Sequence, residues 1–402
     1  MRNFYTKKNC RLCNSTKLKS VIDFGKMPLP DEFLKNKKKN IVYPIKLMNC
    51  QNCGFYQNST VINPKIIYKN YIYETTSGSK YLSDHFKSYA KKVIKKIKLN
   101  KKDYVLDIGS NDGTLLKFFK KKTKVIGVEP AKKIAILANN NNIKTIPHYF
   151  NVNTVNELKK NNIFPKIITL NNTFANIDNI YLLVKLIKKI MQKNSVLIIE
   201  TSYAGDIVNK KIFDWIYHEH LSYFAINPLN NFFKKFELEI YDIEKSNSKG
   251  GSVRIYIKRK QNKIQIKNIV NKYIKNEKNN KLNTTRSFNK LRRIVDMEVK
   301  KIRQKINKKN YKFIAGYGAS ATTTTFISYF KLGKKLKVLF DDNYLKNKTF
   351  NPHDKIPVRK LHLTLNKSID CIIILAWRYK KLILNKLKKF KHKKLDIIIP
   401  FE

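Results

Sequence analysis

The sequence predicts an α/β protein. A doubly wound parallel sheet stands at its centre, with a small metal-binding unit before it and a second, smaller parallel sheet after it. Three observations carry that expectation. Two C-x-x-C pairs, Cys10/Cys13 and Cys50/Cys53, lie near the start. Short apolar runs that end at glycine turns or acids alternate with amphipathic stretches through the middle. The strand-then-glycine pattern returns at Gly316-Tyr-Gly318. The boundaries expected are 1–65, 66–257 and 258–402.

The chain has 402 residues, enough for two or three cores. No apolar run approaches the ~20 residues that span a bilayer, and the first residues lack the apolar segment of a signal peptide. A soluble, cytoplasmic protein without membrane partners is expected. The formal net charge of +56 would ordinarily suggest a polyanion partner. Here the lysines are spread along the whole chain among Asn, Ile, Tyr and Phe, so most read as solvated surface and nucleic acid is not expected. Such a surface would still attract an anionic small substrate.

Four thiolates in two knuckles can close a tetrahedral structural zinc site; redox or incidental cysteines are the alternative. The gap between the pairs is long, so it must hold its own hairpin, and Asp23-Phe-Gly-Lys-Met-Pro-Leu-Pro30 is turn-rich enough for one. Cys371 sits in an apolar run and reads as core. Tyr71 and Tyr73 follow the cysteine unit, facing one way on an extended chain, and either can reach a substrate or pack between units. Residues 80–99 show helical spacing, with His85 read as a packed residue.

Val105-Leu-Asp107-Ile is a buried strand, and Gly109-Ser-Asn111-Asp-Gly113 a turn into a helix. A strand, a glycine turn and a helix N-terminus cradle a ligand at the carboxyl edge of a sheet. The next strand ends at Glu129, where an acid would grip ribose hydroxyls. The turn is not G-x-G-x-x-G, which argues against a nicotinamide cofactor. Asp107-x-Gly109-x-Asn111-x-Gly113 resembles the adenosylmethionine loop of class I methyltransferases. Further strands end near Asn172 and Glu200, so Gly109, Glu129, Asn172 and Glu200 are expected at one sheet edge.

Tyr217-His218-Glu219-His220-Leu-Ser-Tyr223 gathers two imidazoles, a carboxylate and two phenols. General-base chemistry with a phenol beside a developing oxyanion is one reading; metal ligation and structural packing remain open. Alternating runs from Leu238 and from Gly250 then predict a closing antiparallel hairpin. Residues 258–310 read as helical. In the last unit Gly316-Tyr-Gly318-Ala-Ser320, followed by Thr322–Thr325, is read as a phosphate nest.

Taken in order, the paired C-x-x-C knuckles, Ile-Gly-Ser-Asn-Asp-Gly, Tyr-His-Glu-His-Leu-Ser-Tyr-Phe, Gly-Gly-Ser-x-Arg, Gly-Tyr-Gly-Ala and Asp-Asp-Asn resemble the sugar C-methyltransferases along essentially the full chain. The resemblance implies a zinc-binding domain, a class I methyltransferase Rossmann-like domain and a C-terminal Rossmann-like domain that helps hold a nucleotide-linked sugar. It implies S-adenosyl-L-methionine as cofactor and methylation at C3 of a 4-keto deoxysugar, as in deoxysugar and polysaccharide biosynthesis. His220 would be the base, Tyr217 and Glu219 would orient the sugar or support the enolate oxygen, and Tyr73, or alternatively Tyr71, would supply a further phenol. Asn176 departs from a histidine common in the family, and Thr322–Thr325 from a lysine. The competing expectations are a lysine-rich zinc-ribbon protein that binds nucleic acid, or methyl transfer to oxygen or nitrogen.

Overall fold

The structure, a computed structural model, describes residues 3–36, 40–67, 76–246, 248–361, 369–388 and 395–402. Tyr71 and Tyr73 lie outside the described residues. At the centre is a seven-stranded sheet. Its order is Leu238–Ser246, Ser252–Arg259, Val196–Ser202, Ile167–Asn171, Tyr104–Ile108, Lys124–Val128 and Thr145–Ile146. The last five are parallel, and the first two form an antiparallel hairpin on the edge. The parallel strands read as continuous apolar runs because both faces are covered. Successive side chains part to opposite sides: Val105, Ile167 and Ile198 pack with Phe86, Tyr89 and Phe119, whereas Leu106, Ile168 and Ile199 pack with Leu183, Ile187 and Phe232.

From Tyr104–Ile108 the chain runs outward through Lys124–Val128 to Thr145–Ile146, then returns to the other side as Ile167–Asn171. The reversal leaves a crevice beyond the carboxyl ends of these two strands, where open α/β sheets bind ligands. Helix Lys80–Ile97, capped by the Ser79 hydroxyl, packs on one face. Helix Ile180–Ile190, capped by Asn179, buries six apolar residues on the other.

The cysteine unit is a four-stranded antiparallel sheet ordered Ser222–Tyr223, Tyr56–Asn58, Val42–Cys50, Leu18–Pro28. The linker between the cysteine pairs holds the hairpin expected of it, Leu18–Pro28 against Val42–Cys50, but its turn does not lie within Asp23–Pro28. That stretch continues the long strand Leu18–Pro28, and the chain reverses only after Pro28. Gly25, at φ +72°, donates its amide to the Asp23 carboxylate at 2.9 Å and makes a bulge within the strand. Turn-forming residues therefore mark an irregular strand.

Helices Asn268–Asn279 and Thr285–Lys309 follow the central sheet. Glu277, buried on the first, accepts the amides of Ile226 (2.6 Å) and Asn227 (2.8 Å) at the start of helix Ile226–Lys234. On the second, Phe288 packs against Tyr56 with ring centroids 4.3 Å apart. The last unit is a five-stranded parallel sheet ordered Val358–Arg359, Leu336–Phe340, Ile314–Tyr317, Cys371–Ile374, Asp396–Ile398, with Cys371 in its core. Among the described residues no helix is long and apolar enough to cross a membrane.

Candidate active site and metal centre

In the cysteine unit the Sγ atoms of Cys10, Cys13, Cys50 and Cys53 all lie within 4.8 Å of one another. Cys10 and Cys53 are 3.6 Å apart, as are Cys13 and Cys50. A tetrahedral zinc with Zn–S bonds of ~2.3 Å needs sulfurs ~3.8 Å apart, so the donors fit with little movement. The contact with Cys53 pulls the Cys10 thiol down to about 5 and pushes Cys53 up. All four donors are cysteine sulfurs, so a tetrahedral metal here would have no open position and a structural role.

At the crevice lies a cavity of about 830 Å³, reached by residues of all the loops that follow the parallel strands. Asp107, Gly109, Asn111, Glu129 and Asn172 line it. Gly109 has φ +75°, and a Cβ there would come within 2.4 Å of the Thr173 hydroxyl. Gly113, at φ +76°, starts the helix, and a Cβ would strike Ile143. Asn111 is left-handed too, at φ +49°, a conformation asparagine tolerates better than most residues. Its Oδ1 accepts from the Thr76 amide (3.2 Å), and the Asp112 carboxylate accepts from the Ser77 amide (2.9 Å), so the loop is sewn to the segment before helix Lys80–Ile97.

Glu129 sits at the tip of the second strand and is 9 % exposed. Its Oε2 accepts the Asn111 amide at 3.0 Å and its Oε1 the Ala131 amide at 2.9 Å. Burial raises its pKa although both amides oppose that. Each oxygen keeps lone-pair capacity toward the cavity, which suits two neighbouring hydroxyls. Glu129→Ala would remove this grip and one tether of the loop. Charge-assisted hydrogen bonds contribute about 1.5–3 kcal/mol each, so adenosylhomocysteine affinity is expected to fall by about 10²-fold, measured by calorimetry.

Asp107 is buried and accepts from the Thr169 hydroxyl (2.6 Å) and from Asn171 Nδ2 (3.3 Å), both on Oδ1. Burial pushes its pKa up to about 7, against the pull of these two donors. Asn171, which also lines the cavity, has a buried carbonyl oxygen with no partner on the protein. An acid, an amide acceptor and a diol grip match the cationic amino acid and ribose of S-adenosylmethionine. Two pH effects follow from the raised Asp107 pKa. The folded state holds a proton that the unfolded chain has lost, so this group's contribution to stability is full below about pH 4 and is lost as pH rises through about 7. Binding of the cationic cofactor should strengthen over the same upper range, since the carboxylate forms there. Titrations at pH 6 and 8 should show it, and Asp107→Asn should flatten it.

The other side of the cavity holds Tyr217, Glu219 and His220. His220 Nδ1 is 3.0 Å from the Trp215 carbonyl, which can only accept. The proton of the neutral ring therefore sits on Nδ1, and Nε2 presents a lone pair. Nε2 is 3.2 Å from the Tyr217 hydroxyl. Asn176 Nδ2 lies 3.4 Å from Glu219 Oε1. His218 points the other way: it is buried against Tyr43, with Nε2 3.2 Å from that residue's carbonyl, and burial drops its pKa to about 4. A shared metal on the two histidines is thereby excluded by their orientation. Among the described residues the four cysteines are the one group of three or more donors within metal reach.

Three families of sequence match this chain. A putative zinc binding domain matches residues 10–68, a methyltransferase domain 81–243 and a C-methyltransferase C-terminal domain 247–401. The C-methyltransferase NovU of Streptomyces niveus is 23% identical over 398 residues, which span 97% of this chain and 94% of that protein. The three family matches follow one another along the chain and together span residues 10–401. Among solved structures, the plantazolicin methyltransferase BpumL in complex with SAH is similar over 44% of this chain and 82% of its own, at 14% identity and a TM-score of 0.34. Magnesium protoporphyrin IX methyltransferase from Synechocystis PCC 6803 with bound SAM covers 44% of this chain and 79% of its own, at 9% identity and a TM-score of 0.34.

This C-methyltransferase depends on S-adenosylmethionine and carries a zinc-binding domain. Two expected features sit elsewhere than the sequence suggested. Glu200 does not line the cavity: it is wholly buried, 2.6 Å from His85 Nε2 and bridged by Arg254 Nε (3.0 Å) and Nη2 (2.7 Å). Burial would raise its pKa, but His85 and Arg254 hold it below the usual carboxylate range. It clamps helix Lys80–Ile97 to the edge hairpin. The turn at Gly316–Ser320 is no open phosphate nest either. Asp341 accepts the Ala319 amide at 2.6 Å, and Thr322–Thr325 are buried, with Thr324 bonded to the Pro30 carbonyl. Arg378, which no motif pointed to, donates to both oxygens of buried Asp214 (2.6 and 2.8 Å) and to the Thr322 hydroxyl (3.0 Å).

Proposed function

We propose that the enzyme methylates C3 of a nucleotide-linked 4-keto deoxysugar, with His220 as the base. The observation that carries this is the imidazole held by the Trp215 carbonyl so that Nε2 is the basic atom, inside the cavity that also contains the glycine loop and Glu129. A ketone makes the neighbouring C–H acidic. His220 Nε2 takes that proton, the C–H electron pair becomes the enolate, and the Tyr217 hydroxyl donates to the oxygen as charge develops. Glu219, steadied by Asn176, orients the sugar hydroxyls, and Tyr73 is the further phenol of this reading. When bound, S-adenosylmethionine would supply the electrophilic methyl to the enolate carbon, its methyl–sulfur bond breaking to leave adenosylhomocysteine.

In this reading Asp107, Gly109, Asn111, Gly113, Glu129 and Asn172 hold the cofactor. Residues 1–65 form the zinc unit, 66–257 the methyltransferase unit and 258–402 the unit that holds the nucleotide. A cleft between the last two units supports an anionic substrate: Lys210, Lys211, Arg378, Lys380 and Lys381 surround it beside Trp377. Arg378 reaches Asp214, the neighbour of Trp215 that holds His220. Such a cleft suits a diphosphate next to a base that stacks. The deciding experiment supplies methyl-labelled cofactor and a nucleoside-diphosphate-linked 4-keto deoxysugar, then locates the label by NMR. A carbon-bound methyl at C3 supports the reading; label on oxygen or nitrogen contradicts it.

A further inference from the structure

The cysteine unit is joined to the His220 segment by main chain, and one buried side chain spans both. Ser222 and Tyr223 pair antiparallel with Gln57 and Tyr56, so the stretch that carries Tyr217 and His220 ends as the edge strand of the cysteine unit's sheet. The Asn58 amide donates to the Leu221 carbonyl at 3.0 Å, and the Leu221 amide to the Ala175 carbonyl at 2.8 Å. Ala175 belongs to the loop that walls the cavity and contains Asn176 and Asp178.

Arg11 lies between the two cysteines of the first knuckle, and its side chain is wholly buried. Its Nε donates to Asp178 Oδ1 at 2.9 Å, its Nη1 to the Asn58 carbonyl at 2.9 Å, and its backbone amide to Gln57 Oε1 at 2.9 Å. A second donor, Lys7 Nζ, and the Tyr5 hydroxyl hold Asp178 Oδ2. Burying a guanidinium is costly, and an apolar side chain of like volume would stabilise the fold as well or better. What only the fork supplies is a fixed distance between two acceptors. Here the acceptors are the strand that the His220 segment joins and the wall that faces it.

We propose that Arg11 is a positioning residue for methyl transfer, setting the His220 segment and the Asp178 wall against the cofactor loop. The zinc unit then acts on turnover as well as on folding. This rests on the reading of His220 as the base. Arg11 has no contact with the glycine loop or Glu129, so its effect should fall on the chemical step and not on cofactor binding.

The test compares Arg11→Gln, Arg11→Lys and Asp178→Asn in the full, zinc-loaded chain. A misplacement of about 1 Å can cost about 10²-fold, so Arg11→Gln should lower kcat by about 10²-fold. Zinc content and adenosylhomocysteine affinity should stay as in the parent. Arg11→Lys should recover part of the loss. Asp178→Asn should resemble Arg11→Gln, and the double variant should be no worse than either. In protein labelled with ¹⁵N-histidine, the His220 ring signal, assigned by its loss in His220→Asn, should shift in Arg11→Gln. An unshifted signal with parental kcat overturns the proposal, as does a loss that merely follows zinc content or cofactor affinity. A parent protein that transfers no methyl to a keto sugar, while the signal still shifts, defeats the base assignment and leaves the positional link standing.

Discussion

Replacing His220 by asparagine is expected to lower kcat by about 10²–10⁴-fold, the usual worth of a placed general base. Adenosylhomocysteine affinity should be unchanged. Asparagine can still donate to the Trp215 carbonyl as Nδ1 does, so the segment keeps its tether. It has no basic nitrogen in place of Nε2. The loss therefore belongs to proton removal and not to collapse of the site. Stopped turnover assays with parallel calorimetry separate the two: a variant that loses cofactor affinity and turnover together would assign His220 a structural role. Tyr217→Phe should cost less, because it leaves the base and removes one donor to the developing oxyanion.

Stripping the zinc is the other large effect. Cys10 and Cys50 are buried in one core with Leu12, Phe55 and Tyr56, so these two sulfurs cannot simply turn to solvent when the metal leaves. Structural zinc contributes about 10–16 kcal/mol of apparent binding energy in small zinc domains. Cys50→Ser, or prolonged chelation, should abolish metal content, lower the melting temperature and stop turnover. The central sheet and its glycine loop contain no cysteine ligand, so some adenosylhomocysteine binding should persist at low temperature. Metal analysis, thermal denaturation and calorimetry on the same sample check the three parts. A Cys50→Ser protein with the parent's melting temperature would refute a structural metal.

The central fold was legible because its strands are covered on both faces and its turns have distinctive chemistry. Val105–Ile108, Ile167–Leu170 and Val196–Ile199 are short, largely apolar runs bounded by turn residues, the pattern of a parallel strand covered on both faces. Gly109, Asn111 and Gly113 all adopt the left-handed backbone that their residue types tolerate. The cysteine ligands were legible for a like reason, since few other arrangements use two C-x-x-C pairs. Less could be read where meaning depends on partners distant in sequence. Gly25 and Pro28 looked like a turn, but a long strand opposite them turns the irregularity into a bulge. Glu200 ends a strand like Glu129, yet Arg254 and His85 close over it. Asp341 opens the Asp-Asp-Asn motif, but nothing local shows that its carboxylate accepts the Ala319 amide and fills the glycine turn. The pairing of Ser222–Tyr223 with Tyr56–Gln57 had no local signal, because a two-residue edge strand has no periodicity to read.

In the proposed reaction His220 removes a proton from carbon. The most direct measurement incubates the enzyme, saturated with adenosylhomocysteine, with a nucleoside-diphosphate-linked 4-keto deoxysugar in deuterium oxide and follows C3 by NMR. Without a methyl donor, C3–H is expected to exchange for deuterium with the parent enzyme and not with His220→Asn. Exchange that proceeds equally in the variant, or no exchange from a parent enzyme that still methylates the sugar, would contradict it.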